Sequence, residues 1–475
     1  MTRAARPRFT RRLGVLASAL ALAGCAGFSA DGGFGPVERM TLERTGQTPR
    51  LTRTAEDAQA VRARVSELLA APLGAASAVE LALLNNPGLQ ASFRDLGIAE
   101  ADLVQAGRMR NPVFHFMNIR SPEAFEIERA LMFDLLGLLT MPQRVAVQQT
   151  RFEQAQLEAA SQAVAVAAEA RRAWTAAVAS RELVVYAGQV KEAADASAEL
   201  ARRMAQTGNF SRLAQMREQT FYADATAGLA RARHQATADR ERLVRVLGLW
   251  GADTGFTLPD RLPELPKAPA EPRDAEQRAL EQRLDVQAAR RASSALAESL
   301  GLTRVTRLID GLALGYANAS ESGEPRKDGY ELSFELPLFD WGTSRVARAE
   351  ALYRQSLERA AQTAIDARSQ VRERYSAYRT AYDLARHYRD EVVPLARRIS
   401  EENLLRYNGM LIGTFELLAD AREQVRSVTG AVEALRDFWL ADADLQNVLT
   451  AGPPGAATAP RTDAAPARAG GAPGH

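Results

Sequence analysis

Two rhythms of apolar residues alternate along the chain. Over most of its length apolar side chains return every three to four residues, the spacing of one helix face. Val145, Phe152, Ala159, Val166 and Ala173 recur every seventh residue, and Ala163, Ala170, Ala177 and Val184 form a second heptad row beside them. Heptad spacing over such lengths predicts paired, coiled-coil helices, and the small residues let two backbones approach closely. In three short stretches the rhythm drops to two. Tyr330, Leu332, Phe334, Leu336 and Leu338 alternate with Glu331, Ser333 and Glu335, and Leu312, Leu314 and Tyr316 alternate with Gly311, Ala313, Gly315 and Ala317. Phe125, Ile127, Leu131, Phe133 and Leu135 share a face that Arg129 interrupts. Each reads as a strand with one apolar face and one small or polar face.

These elements occur twice in the same order. A first unit, 77–250, opens with the capping-box pattern Ser77-Ala78-Val79-Glu80. It continues through a hairpin in 112–136 (strands Val113 to Arg120 and Phe125 to Leu135) and a long helical pair over 143–247 that turns at Gly208-Asn209. A second unit, 274–450, opens at Asp274-Ala275-Glu276-Gln277, has a hairpin in 308–340 (strands Leu308 to Ala319 and Tyr330 to Phe339), and carries a helical pair over 343–449 that turns near Gly409. Helix starts and turns in the two units are offset by the same interval, the mark of an internal repeat. A proline-rich link, 251–273, separates the units and cannot be regular helix or central strand. Pro394 falls inside the second long helix, where it removes a backbone hydrogen bond and predicts a bend.

Composition narrows the function. The 475 residues carry a formal charge of +2, but Arg3, Arg6, Arg8, Arg11 and Arg12 crowd the start, ahead of the apolar run LGVLASALALAGC. That is a secretory signal, 1–24, too short for a permanent span. Its removal leaves a slightly acidic protein with no case for nucleic acid. Cys25 is the sole cysteine, so no internal disulfide can form. Beyond residue 25 no run of about 18 apolar residues occurs, so any membrane crossing would have to use strands closed into a barrel. Four strands are too few to close one, since barrels begin at about eight. Three chains would supply twelve. The tail, 451–475, is rich in proline, glycine and alanine and is expected to be disordered.

The stretches PLFDWG (337–342), AVELALLNNPGLQ (78–90), GIAEADLVQAGRMRNPVF (97–114), AQTGNFSRL (205–213) and RYNGMLIGTFELLADAR (406–422) together resemble the TolC family of outer-membrane efflux proteins. The resemblance runs from about 77 to 450. It implies a mainly α fold with a small β part: long antiparallel coiled-coil helices forming an α-barrel, plus two β-hairpins per chain contributing four strands to a trimeric 12-stranded barrel. It further implies a homotrimeric, non-enzymatic duct in the outer membrane of a Gram-negative bacterium, with a periplasmic adaptor protein and an inner-membrane pump as partners. Leu22-Ala23-Gly24-Cys25 looks like a lipobox, which implies a covalent lipid on Cys25 and an extended, lipidated segment over 25–76; no other cofactor is expected.

No catalytic or cofactor constellation stands out, and the four histidines are scattered. His387 has Asp383 and Asp390 within helical reach, a pattern common on solvated helix faces, and no metal site is assigned. The two turns are the candidate docking surface: Gly208, Asn209, Ser211 and Leu213 at the first, Arg406, Tyr407, Gly409, Leu411 and Gly413 at the second. The alternative is that each turn packs against its own helices. The second turn departs from the family pattern, because its glycine sits one place early and Met410 occupies the usual position. Glu416 matches an acidic position that the family directs into the tube entrance. Ala419 stands where a second acid is usual, with Asp420 beside it. Glu416 and Asp420 are therefore candidate gate residues, against the alternative of a solvated charged face near Arg422 and Arg426. The rival to the duct as a whole is a lipid-anchored periplasmic coiled-coil scaffold that forms no channel.

Overall fold

A computed structural model describes residues 27–271, 273–309 and 311–452. The signal 1–24, Cys25 and positions 453–475 of the tail lie outside them. Among the described residues, 25–76 is not extended as expected. It holds α1 (Gly35–Thr45) and α2 (Ala55–Leu69). Pro36 pre-sets the first turn of α1, and α2 opens on a reciprocal capping box in which the Thr54 side chain and Asp57 satisfy each other's backbone N–H groups. Next come α3 (Ala75–Asn85) and α4 (Pro87–Ala106), with Asn86 capping α4 through Leu89 N–H.

The first hairpin is β1 (Val113–Arg120) and β2 (Phe125–Asp134). Helix α5 (Leu135–Gln206) follows without a linker. The expected start at 143 is corrected: Asp134 ends the strand and caps the helix, its Oδ1 accepting Gly137 N–H at 2.8 Å, so Pro142 lies inside the first turns. At ~1.5 Å per residue, the 72 residues of α5 span about 110 Å. Helix α6 (Arg212–Leu247) returns alongside it. The second unit repeats the plan with α7 (Ala275–Gln282), α8 (Leu284–Thr306), β3 (Leu312–Glu321), β4 (Lys327–Phe334), α9 (Thr343–His387), a π turn (Tyr388–Val392), α10 (Val393–Asn408) and α11 (Thr414–Thr450). The expected bend at Pro394 is taken up by that π turn, which puts the proline in the first turn of α10, where its missing N–H is not needed.

The second hairpin is shorter at its base than the alternation predicts. β4 ends at Phe334, not Phe339, because Pro337 has no N–H to donate and β3 begins only at Leu312. The chain then turns through Asp340, whose Oδ1 accepts Gly342 N–H at 2.8 Å. Gly342 sits at φ +70° with a Cβ position 2.4 Å from the Arg307 carbonyl, so no other residue fits this corner.

All four strands form one antiparallel sheet in the order β1-β2-β3-β4. Its register separates two faces cleanly. One presents the row Phe114, Leu131, Tyr316, Tyr330 and below it Phe133, Leu314, Leu332. The other presents Ala130, Ala317 and Gly329, with Glu128 and Lys327 further along. Most of the large apolar side chains on the first face are exposed.

The main core lies midway along the coils. From Ala159 to Ser180, α5 is buried on nearly all sides by α1, α3, α4, α8 and α11. Alanine at Ala160, Ala163, Ala167, Ala170 and Ala177 is what lets so many backbones crowd one helix. The proline-rich link is strapped to this level. Leu258, Leu262 and Leu265 are buried, Tyr382 Oη donates to the Pro266 carbonyl at 3.1 Å, and Trp439 Nε1 donates to the Pro263 carbonyl at 3.0 Å.

Candidate functional site at the helical tips

The two turns end the coil pairs at the pole opposite the sheet. In the first, Asn209 N–H donates to Met204 O at 2.9 Å and Gly208 N–H to Ala205 O at 3.2 Å. This double closure needs a left-handed residue, and Gly208 supplies φ +76°. Ser211 then caps α6, accepting Ala214 N–H at 3.2 Å, while Leu213 remains exposed. Glu199, about two turns before the end of α5, has its carboxyl held below the usual range chiefly by a hydrogen bond from Arg203.

In the second turn the same two bonds run from Leu411 N–H to Arg406 O and from Met410 N–H to Tyr407 O, both at 2.9 Å. The left-handed residue is therefore Met410, at φ +58°, and not the neighbouring Gly409, whose φ is −80°. A left-handed conformation costs an L-residue about 1–2 kcal/mol. Met410 is 93% exposed and Leu411 77%, so packing within the chain does not offset that cost. Met410→Gly is expected to stabilise the isolated protein by about 1 kcal/mol, read as an upward shift in its chemical-unfolding midpoint. An unchanged or lower midpoint would contradict the strain argument. Arg406 pairs with Glu402 at 3.2 Å, Tyr407 is exposed, and Gly413 leads into α11 without a side-chain cap.

Glu416 and Asp420 do not join Arg422 or Arg426. Glu416 is exposed, and Asp420 is half-buried with Oδ2 shielded from water and without a donor among the described residues. Arg426 pairs with Glu423 at 3.1 Å. Arg422 reaches away from the tip to Glu218 on α6, 2.7 Å from Nη2 to Oε1, with its guanidinium 4.4 Å from the centre of the Phe221 ring. Glu218 is 1% exposed and also accepts Ser197 Oγ–H from α5 at 2.8 Å. Here one polar cluster ties the first coil pair to the second. Helix α10 buries no residue, so little apolar packing supplements the tie. Sequence reasoning missed Glu218. The one available signal is an acid on the apolar stripe of a helix, and that gains meaning only once α11 is seen beside it.

His387 does not gather Asp383 and Asp390. Its Nδ1 lies 3.2 Å from Glu391 Oε2, and Asp390 is held by Arg386 and Arg389. Among the described residues no group of three or more His, Cys, Asp or Glu side chains could hold a metal ion, and no helix is long and apolar enough to cross a membrane.

Taken together, the residues build an amphipathic four-stranded sheet with two open edges, continued by two coil pairs. Residues 276–407 match the family model described as Outer membrane efflux protein. The fold is that of solved outer-membrane channels. It is similar to the channel OprN (17% identity, TM-score 0.67, 90% of this chain and 97% of that one) and the CmeC channel of Campylobacter jejuni (15%, 0.67, 85% and 89%). It is similar also to the outer membrane protein VceC of Vibrio cholerae (15%, 0.66, 83% and 98%). No curated protein matches the chain by sequence. An outer membrane efflux protein domain is thus recognised over 276–407, and over most of its length the chain shares the fold of these channels.

Proposed function

We propose that three copies of this chain form a passive duct of a tripartite efflux system, carrying substrates from a periplasmic adaptor and inner-membrane pump to the exterior. The observation that carries the reading is the sheet, with one apolar face, one small and polar face, and unpaired edges at β1 and β4. Open edges are unstable alone and are removed by closure. Pairing β4 of one copy with β1 of the next gives a twelve-stranded barrel, lipid outside and water within. The corners at Asp134 and Gly342 then mark where each chain leaves lipid and becomes tube wall.

The two tips, with Met410 and Leu411 foremost, are the adaptor-docking surface. Strain at Met410 is retained there because its side chain serves a contact outside the chain. Glu416 and Asp420 face the entrance as stacked acidic rings. The Glu218–Arg422 tie holds the second coil pair inward and the entrance narrow. Cys25 carries the lipid.

The discriminating experiment replaces residues 1–25 with a cleavable signal that leaves no cysteine. A duct then stays in the outer membrane through a high-salt wash, leaves it in detergent as a heat-modifiable trimer, and conducts in planar bilayers. A scaffold held only by lipid would instead appear in the soluble periplasm. That outcome would end the duct reading.

A further inference from the structure

We infer that Arg129, with Arg120 above it, binds phosphate on the headgroup of an outer-leaflet lipid at the upper edge of the barrel. This inference rests on the outer-membrane reading.

On the apolar face of the sheet polar and charged side chains enter the rows toward the hairpin tips, interleaved with Phe116, Ile127 and Phe125. From the corner residues Leu139, Phe339 and Trp341 up to the row Phe114, Leu131, Tyr316, Tyr330, the exposed side chains are apolar or aromatic. The next row toward the hairpin tips is Phe116, Arg129, Asn318, Asp328, and beyond it lie Asn118, Ile127 and Ser320, then Arg120 beside Phe125. Tyr316 and Tyr330 stack edge to face with centroids 6.4 Å apart, and Tyr316 Oη donates upward to Asp328 at 2.8 Å. A ring of tyrosines with their hydroxyls pointing into a polar row is the signature of a membrane–water boundary. The tips lie on the side away from the tube, so this boundary belongs to the outer leaflet.

At that boundary the charges do not cancel. Asp328 is taken: it accepts from Tyr316 and Asn318 and lies 3.6 Å from Arg326. Asn318, 4% exposed, gives its amide hydrogens to Asp328 and to the Lys327 carbonyl, which leaves its Oδ1 buried without a donor. Glu126 and Glu128 flank Arg129 along β2 but project from the opposite face. Among the described residues neither Arg129 nor Arg120 makes an ion pair or a side-chain hydrogen bond. Two exposed, unpaired guanidinium groups on a lipid-facing surface, about 13 Å apart along the strands, match an anionic headgroup and not a hydrocarbon chain. Phosphate is the anion whose geometry the planar guanidinium fork fits. Threefold symmetry would repeat the site three times around the barrel.

Native mass spectrometry of detergent-purified trimers tests this with three probes: lipid A bearing its phosphates, the same lipid dephosphorylated, and inorganic phosphate. Wild-type trimers should retain the phosphorylated lipid and bind the dephosphorylated one about tenfold less, with no retention of free phosphate. Arg129→Gln should erase the preference, and Arg129→Lys should restore part of it. Equal retention of both lipids by the wild type overturns the inference whether or not the variants assemble, as does an unaltered preference in assembled Arg129→Gln trimers. Retention of inorganic phosphate alone would make the site an anion site and not a lipid site, and overturns it too. Failure of the wild type to form any trimer would instead refute the outer-membrane reading beneath it.

Discussion

Glu218→Gln is expected to open the tube. In planar bilayers its trimers should show higher conductance, or a larger open fraction, than the wild type. The reason lies in what holds α11 to α6. The carboxylate of Glu218 is shielded from water, accepts from Ser197 and pairs with Arg422 at 2.7 Å. A charge-assisted bond of this kind contributes about 1.5–3 kcal/mol. Losing it shifts a closed–open equilibrium by about tenfold to a hundredfold. The amide also leaves Arg422 without this anion, and the guanidinium, 31% exposed, gains by swinging into water with its helix. Arg422→Ala should act in the same direction. The charge-swapped pair Glu218→Arg with Arg422→Glu should restore part of the closure, because the attraction is regained while the Ser197 bond is not. If both single variants conduct as the wild type does, the tie is a packing detail and something else sets the aperture.

Arg283→Ala is expected to destabilise the protein by about 3–5 kcal/mol, the usual result of removing one partner of a buried pair. Arg283 is 1% exposed at the joint between α7 and α8. Its fork meets Asp285 at 3.0 and 2.7 Å, and Nη1 donates to Gln370 of α9 at 3.0 Å. Gly452, just past α11, closes the site, and a Cβ there would fall 2.3 Å from Asp285 Oδ2. Four segments thus meet on one ion pair. Truncating the arginine strands the Asp285 carboxylate in a dry site. Replacing both partners by apolar residues, Arg283→Met with Asp285→Leu, removes that penalty and should recover most of the loss. Loss of helical circular dichroism on heating, or the urea midpoint, reads the difference. A single variant within 1 kcal/mol of wild type would mean that water reaches Asp285.

The pattern along the chain determined a great deal. Period-two alternation located three of the strands, and the register put Leu131, Tyr316 and Tyr330 on one face as the alternation required. Heptad alanines located the helices that crowd together, because small side chains at helical spacing have one structural use. The turn at Gly208 was legible because only glycine meets a left-handed backbone without cost. Where local chemistry was ambiguous, the sequence misled. Pro142 looks like a helix boundary, yet Asp134 caps the helix before it, and 25–76 lacks a long apolar stripe, yet short capped helices form there against the core.

What tertiary structure alone decided is pairing between distant segments. Glu218 and Arg422 are ordinary charged residues until two coil pairs are laid side by side. Arg129 is an interruption in a strand until the sheet shows that, among the described residues, no carboxylate pairs with it. Met410 is an oddity of spacing until the hydrogen bonds of the turn place it at the left-handed position. Periodicity reports the face a residue is on. It cannot report what the opposing face brings, and a charge takes its meaning from that partner.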